Sequence, residues 1–293
     1  MDDRALLTDR FERHRPRLRA VAYRMLGSVA EADDAVQDAW LRLDRADTSE
    51  VENLGAWLTT VVARLCLNVL RSRETRREDS FDVHVPDPVI SYDDGTDPEY
   101  EAVLAESVGL ALLVVLDTLT PAERLAFVLH DMFAVPFDEI AAVIEKSTAA
   151  TRQLASRARR RVQGRVPTPD ADLTRQREVV DAFFAAARDG DLDALVAVLD
   201  PDVVLRSDAG TGSRFTVTLS GARTVAGRAV TFGQLSPFAR PALVNGAAGV
   251  VVVADGRPLS VMGFIVAGGR IVAIDVLADS ARLPALVDVR ADR

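Results

Sequence analysis

One thirty-residue segment restricts the fold more than any other feature of the sequence. Residues 78–107 carry ten acidic and no basic side chains, with three prolines and a glycine among them. Proline and glycine interrupt helices and strands, and a run of like charges resists compaction, so we predict a linker here. A second break falls where prolines prevent a helix from continuing, at 167–169. The predicted folded segments are therefore residues 1–77, 108–165 and 170–293.

Composition excludes several classes of protein. The 293 residues are 48% hydrophobic and 27% charged, as in globular proteins. The single cysteine, Cys66, rules out an internal disulfide and a cysteine-rich metal site. The N-terminal residues predict no secretory signal. The sequence has no apolar run of the ~18 residues that span a membrane, and no P-loop, metal-ligand cluster or catalytic triad is recognised in it. We expect a cytoplasmic protein that has no membrane contact, metal or cofactor and is not an enzyme.

The net charge of −9 argues at first against a nucleic-acid binder. That acidity belongs to the linker, however, because residues 1–77 and 108–165 carry net charges of +1 and +2. The total charge of the chain therefore does not exclude nucleic-acid binding by the two helical segments.

The first segment is predicted to be helical, with a helix over 30–43 that Ser28 caps and Glu31 completes as a capping box. Apolar residues form one stripe of this helix. The other face carries Glu31, Asp34, Gln37, Asp38 and Leu41. This face is either ordinary solvated surface or a docking surface for a basic partner helix.

A further helix is predicted over 54–77, and its C-terminal part is strongly basic. The arginines are Arg64, Arg71, Arg73, Arg76 and Arg77. Cations stabilise a helix C-terminus through its dipole. Five of them exceed what that requires, so a phosphate-contacting surface is the alternative.

The second segment has the pattern of a helix-turn-helix. Thr120, Pro121 and Glu123 predict a helix start. A short helix over 137–144, a tight turn and a basic helix over 149–162 follow. Arg152, Gln153, Ser156 and Arg157 share one face of the last helix. Arginine and glutamine are side chains that read guanine and adenine, whereas the alternative is a helical hairpin with a solvated basic face.

Residues 11–165 resemble a sigma factor of the extracytoplasmic-function group of bacterial RNA polymerase. The resemblance rests on 33–43 and 56–73 in the first segment, and on 137–141 and 157–159 in the second. It implies that the first segment is sigma region 2, which contacts the β′ clamp helices of core RNA polymerase, and the second is region 4, which meets the β flap. The implied polymerase contacts are Asp34, Gln37, Asp38 and Leu41.

The same resemblance implies promoter DNA as the second partner. The minus-ten element would be read by Arg64, Asn68, Arg71, Arg73 and Arg76. The minus-thirty-five element would be read by Arg152, Gln153, Ser156, Arg157 and Arg160. Many relatives have Asp where this chain has Asn68, and many have Gly in the helix-turn-helix where this chain has Glu145.

The third segment is predicted to contain both helices and strands, unlike the two helical segments before it. Two helices near 177–186 and 192–199 precede a strand at 203–205, a short helix near 223–235, and three strands at 248–254, 259–267 and 270–277. Asp255-Gly256 and Gly268-Gly269 are hairpin signals between those strands. We predict an α+β domain with a curved antiparallel sheet. Residues 171–283 resemble the cone-shaped SnoaL-like domains of the nuclear-transport-factor-like superfamily. The whole chain is thus a multidomain protein, with two all-α sigma domains followed by an α+β cone.

A chain that joins two sigma domains to a SnoaL-like domain resembles a small group of sigma factors. In that group, the C-terminal domain contacts the sigma domains and controls their activity. The counterparts of the motifs associated with this control are 85–88 in the linker, 208–212, and a terminal motif at 279–283. The resemblance implies regulatory roles for Pro86, Asp87, Pro88, Asp208, Gly210 and Gly212.

Three alternatives remain open from sequence. The protein is a sigma factor modulated in cis, a helix-turn-helix regulator with a ligand-sensing domain that binds an unidentified small molecule, or an enzyme with a DNA-binding appendage. All three histidines precede residue 170, so the third domain has no His–Asp dyad, and Asp208 or Asp275 would be the base. We also consider that Asp87, Asp93, Asp94 and Asp97 mimic nucleic-acid charge within polymerase.

Overall fold

The structure is a computed structural model that describes residues 3–46, 51–77, 83–92, 109–163 and 168–287. The chain forms two compact units. The first combines residues 1–80 with 115–165, and the second combines 81–114 with 166–293. The described linker residues, 83–92, therefore belong to the same unit as the C-terminal domain, which their sequence does not suggest.

Four helices form the N-terminal part of the first unit: α1 (Asp3–Glu12), α2 (Arg15–Leu26), α3 (Val29–Leu43) and α4 (Leu54–Arg77). Gly27 ends α2 with a left-handed φ of 68°. Ser28 caps α3 by accepting the Glu31 N–H. The predicted capping box is only half formed, because the Glu31 carboxylate bonds to Arg73 instead.

Helix α4 lies at the centre of this bundle. Its window Leu54–Thr75 is long and apolar enough to cross a membrane by length and composition alone. Leu58, Val62 and Leu67 on α4 are buried within the bundle, which explains the apolar composition. Burial raises the pKa of the Cys66 thiol on the same helix to about 12, so this thiol stays protonated at neutral pH.

The rest of the first unit is a helix-turn-helix. Helix α5 (Leu110–Leu116) crosses the unit boundary, and α6 (Pro121–Phe127) continues as a π-turn over Val128–Met132. Thr120 and Glu123 form a capping box at the predicted start of α6. Helices α7 (Phe137–Ile144) and α8 (Thr148–Gln163) follow, and Ser147 accepts the Ala150 N–H at the start of α8.

The turn between α7 and α8 keeps its geometry although it lacks glycine. Glu145 ends α7 in the left-handed conformation, with φ 57° and ψ 47°. Its N–H bonds to the Ala141 carbonyl. A side chain in this conformation costs roughly 1–2 kcal/mol, so the helix-turn-helix forms at some cost here.

The second unit is an α+β domain. Helices α9 (Leu173–Asp189), α10 (Leu192–Val198), α11 (Ala222–Thr231) and a 3₁₀ turn (Gly233–Phe238) accompany a seven-stranded sheet, and α12 (Leu283–Leu286) ends the described chain. The strands are β1 (Ile90–Ser91), β2 (Leu199–Asp208), β3 (Val217–Ser220), β4 (Ala239–Val244), β5 (Ala247–Ala254), β6 (Arg257–Ala267) and β7 (Arg270–Leu277).

The sheet order is β1-β4-β5-β6-β7-β2-β3. Fold class is as predicted, but the expectation of a purely antiparallel sheet is wrong, because β2 runs parallel to β7. Helices α10 and α11 supply part of the apolar core, through Leu195, Val225 and Ala226, together with Phe183 of α9.

The linker contributes a strand to this sheet. Ile90 and Ser91 pair antiparallel with Val244 and Leu243 of β4. Further along, Leu110 of α5 covers Gly263, where a Cβ would approach its Cδ2 to 3.0 Å. Ala111 packs with Ile265 and Ala273. The described linker residues and the first residues of α5 therefore both dock on the C-terminal domain.

Candidate functional site

Helix α3 presents an exposed acidic face. Asp34, Gln37, Asp38 and Leu41 are all exposed, and the Leu41 side chain is 42% exposed although it is apolar. The opposite face packs into the bundle through Ala32, Val36, Ala39 and Leu43. The predicted polymerase-contacting residues therefore share one accessible face.

The arginines predicted to read the minus-ten element do not behave alike. Arg64, Asn68 and Arg71 are exposed along α4. Arg73 is half-buried, donates to the Leu26 carbonyl at 2.8 Å and pairs with Glu31. Arg73 thus ties α4 to α3 and the end of α2. The side chain of Arg76 lies outside the described residues.

Helix α8 presents an exposed basic face. Thr151, Leu154, Ala155 and Ala158 are buried on one side. The opposite side exposes all five residues predicted to read the minus-thirty-five element, Arg152, Gln153, Ser156, Arg157 and Arg160.

Two neighbouring arginines of α8 brace the helix. Arg161 donates to Glu123 of α6 at 2.9 Å, and Arg159 pairs with Asp131 of the π-turn. These pairs hold α8 against α6 and the π-turn, whereas Arg152, Gln153 and Ser156 are exposed on its N-terminal half. That division of roles fits a recognition helix, whose N-terminal residues contact bases.

In the second unit, buried charges join the linker to the C-terminal domain. Asp87 and Asp208 are only 6% and 5% exposed, and the guanidinium of Arg282 lies between them. Arg282 donates to Asp208 Oδ2 from one nitrogen and to Asp87 Oδ1 from another, both at 2.9 Å. It also donates to the Val85 carbonyl at 2.7 Å. We call Asp87, Asp208 and Arg282 the linker clamp.

The backbone of the linker completes this contact. The Val85 N–H donates to Asp208 Oδ2 at 3.0 Å. The Val89 N–H donates to the Asn245 side chain at 3.1 Å, and its carbonyl accepts the Asn245 N–H at 2.8 Å. The linker therefore exchanges hydrogen bonds with the domain at both ends of residues 85–89, all five of which are buried.

The positive charge of Arg282 in the linker clamp stabilises the negative charge of Asp208. Burial by itself raises the pKa of Asp208, but His84, the N–H groups of Val85 and Gly210, and the charge of Arg282 outweigh burial and lower it to about 2. The ionised carboxylate is thus the form that the clamp stabilises.

Sequence reasoning identified Asp87 and Asp208 but missed Arg282. This arginine lies within the terminal motif 279–283. It is the basic residue of that motif, whereas the other two motifs contain the acidic Asp87 and Asp208, and this difference in charge could have indicated an ion pair. Gly210 has φ 88°, and a Cβ on it would lie 3.4 Å from the Asp279 carboxylate, so glycine fits this loop. Gly212 is exposed and also has positive φ, 74°.

The two candidate bases, Asp208 and Asp275, lie outside the cavity of the C-terminal domain. That cavity has a volume of about 240 Å³. Asp208 has a lowered pKa rather than a raised one. Burial raises the pKa of Asp275, but Arg206 pairs with it at 2.6 Å. Among the described residues, no group of three or more His, Cys, Asp or Glu side chains could hold a metal ion.

The first unit, with its helix-turn-helix and exposed basic second helix, defines a DNA-binding protein of the helix-turn-helix class. Family comparison is more specific. The model for sigma-70 region 2 matches residues 10–76, and the model for sigma-70 region 4 matches residues 109–162.

Individual relatives extend this match. The ECF RNA polymerase sigma factor SigJ of Mycobacterium tuberculosis H37Rv is 49% identical over 201 residues, covering 68% of this chain and 64% of SigJ. A probable ECF sigma factor, SigI of M. tuberculosis CDC 1551, is 40% identical over 202 residues, covering 68% of this chain and 69% of SigI. The chain thus spans just under two thirds of the SigJ sequence in that match.

A solved structure matches nearly the whole chain. The crystal structure of M. tuberculosis SigJ superposes with a TM-score of 0.76 at 37% identity, covering 94% of this chain and 98% of that one. The chain belongs to the extracytoplasmic-function sigma factors.

Proposed function

We propose that this protein directs promoter-specific transcription initiation by bacterial RNA polymerase in the cytoplasm. The acidic face of α3 binds the β′ clamp helices of core polymerase, and region 4 meets the β flap. Arg64, Asn68 and Arg71 contact the minus-ten element. The exposed face of α8 contacts the minus-thirty-five element.

The observation that carries this proposal is the pair of accessible, oppositely charged faces on α3 and α8. Each face is backed by buried residues of its own helix and is exposed on the other side, and within the α8 face Arg157 also pairs with Glu123 at 3.8 Å. Family membership supplies the matching partners. An acidic face suits a basic polymerase surface, and a basic recognition helix suits the major groove.

We further propose that the linker clamp modulates this activity in cis. The linker connects the two regions that must engage promoter DNA together, and the clamp fixes part of it on the C-terminal domain. Release of the linker would change how freely the two regions separate on polymerase.

The test is run-off transcription with core RNA polymerase and a promoter selected with the full-length protein. The double variant Asp34→Lys/Asp38→Lys should lose holoenzyme formation and the transcript, because reversed charge repels the basic partner. Asp193→Lys, on an exposed position of α10, is the matched control and should retain both. A wild-type protein that binds DNA but never yields a transcript with core enzyme would instead mark a regulator.

A further inference from the structure

The cavity of the C-terminal domain is strongly apolar and has aromatic walls. Phe183 and Phe184 of α9 line one part of it, and Phe215 and Phe232 line another. The last two rings meet edge to face with centroids 6.0 Å apart and are each 37% exposed. Two large rings held partly in solvent beside an apolar cavity mark its mouth.

One charged side chain lines this cavity. The guanidinium carbon of Arg228 lies 4.7 Å from the centroid of the Phe232 ring and 5.4 Å from that of Phe215. Among the described residues no carboxylate pairs with Arg228, which is half-buried. The remaining polar side chains of the lining are the hydroxyls of Ser207, Ser236 and Ser260.

This set of groups favours an anion with an apolar body. A half-buried cation has lost part of its hydration, and an anionic ligand group restores that loss through charge-assisted hydrogen bonds. A cationic ligand would be repelled by Arg228. A wholly apolar one would leave the guanidinium less well solvated.

Cavity volume limits the size of the ligand. An apolar cavity of roughly 150 Å³ holds benzene, so about 240 Å³ accommodates a molecule of roughly ten non-hydrogen atoms. We propose that the cavity binds a small apolar monocarboxylate, with its chain or ring among the phenylalanines and its carboxylate on Arg228. The guanidinium is well suited to that group because it can donate two parallel N–H bonds to one carboxylate.

The site adjoins the linker clamp. Ser207 and Ala209 line the cavity and are the two chain neighbours of Asp208. Ala278 also lines it, and the Ala278 N–H donates to the Asp208 carbonyl at 2.7 Å. A ligand would therefore contact three residues joined to the backbone of Asp208. Any regulatory consequence rests on the proposed function, whereas binding itself does not.

The experiment is isothermal titration calorimetry of the full-length protein with octanoate, which has eight carbons and one carboxylate. Octanoate should bind with one site per chain, and octan-1-ol and octylammonium should bind at least about tenfold more weakly. Arg228→Gln should weaken octanoate by about tenfold or more and leave octan-1-ol unchanged. Arg228→Lys should recover part of the loss because it restores the charge.

Arg223→Gln is the matched control, because Arg223 is exposed on the same helix and does not line the cavity. Its affinity for octanoate should equal that of the wild type. Lack of octanoate binding at millimolar concentration, equal affinity for octanoate and octan-1-ol, or an unchanged affinity in Arg228→Gln would overturn the proposal. Because the readout is binding, it is independent of whether the protein supports transcription.

Discussion

The acidic face of α3 and the linker clamp use the same side-chain chemistry in opposite settings. Asp34 and Asp38 are exposed, with the apolar Leu41 beside them. Asp87 and Asp208 are buried and share one arginine. An isolated buried carboxylate is costly, so its partner must come from within the unit. Exposed carboxylates carry no such requirement, so α3 remains available to another molecule whereas the clamp is already satisfied.

The largest effect is expected when the clamp loses its cation. Arg282→Ala leaves two buried carboxylates without their shared partner, a change that costs about 3–5 kcal/mol. We expect residues 85–89 to leave the domain rather than the domain to unfold. Hydrogen exchange at the Val85 and Val89 amides, which donate to Asp208 and Asn245, should accelerate strongly.

Arg188→Ala is the control for that variant. Arg188 pairs with Asp189 at 3.5 Å, and both side chains are more than half exposed. Removing such a pair should change stability by less than about 0.5 kcal/mol. Unchanged protection at Val85 in Arg282→Ala would show that the linker is held by other contacts.

The second-largest effect is expected at low pH, which should weaken the linker clamp. The folded-state pKa of Asp208 is about 2, below its ordinary value of 3.8. Its ionised form therefore contributes stability above pH ~4, and this contribution, about 2 kcal/mol, is lost as pH falls from ~4 toward 2. Urea unfolding at several pH values should show a shallower decline in Asp208→Asn than in the wild type. Parallel curves would contradict the assignment.

An effect of similar or smaller size is expected on the exposed face of α8. If Arg152 and Gln153 read bases, alanine at either position should reduce promoter discrimination by ~1–3 kcal/mol. Competition binding against promoters altered in the minus-thirty-five element measures this. A uniform loss of affinity on every sequence would instead mark phosphate contacts.

The smallest effect concerns the turn before α8. Glu145→Gly should stabilise the first unit by about 1 kcal/mol, because glycine adopts positive φ without the penalty that glutamate incurs. Thermal unfolding would show it as a raised midpoint. Glu139→Gly in the first turn of α7 is the contrasting variant, and it should destabilise the unit because it removes a better helix former and an acidic side chain from the helix N-terminus.

Local signals in the sequence predicted much of the fold. Caps and apolar spacing located α4, α7 and α8 nearly to the residue, since those signals lie within each element. Strands β1, β3 and β4 were missed, because strands of two to six residues carry weak periodicity. The parallel pairing of β2 with β7 was also missed, since it depends on contacts distant in sequence.

The candidate sites also differ in whether local sequence could predict them. The faces of α3 and α8 follow from spacing along one helix, whereas the clamp joins residues 85–87 to 208 and 282 and needs the folded domain. The burial of Asp87 restricts the hypothesis that the acidic linker mimics nucleic-acid charge. Asp87 is buried and paired, so any such mimicry falls to the other linker carboxylates, of which Asp93, Asp94 and Asp97 lie outside the described residues.

We propose that an exposed polymerase-binding surface and a linker clamp act in one protein. The most direct test is run-off transcription with core RNA polymerase, comparing wild type, Arg282→Ala and Arg188→Ala at equal concentrations. We predict promoter-specific transcripts from the wild type and Arg188→Ala at the same level, and a clearly altered level from Arg282→Ala. Identical transcript levels from all three proteins would contradict control through the clamp, and no transcript from any of them would contradict the sigma assignment itself.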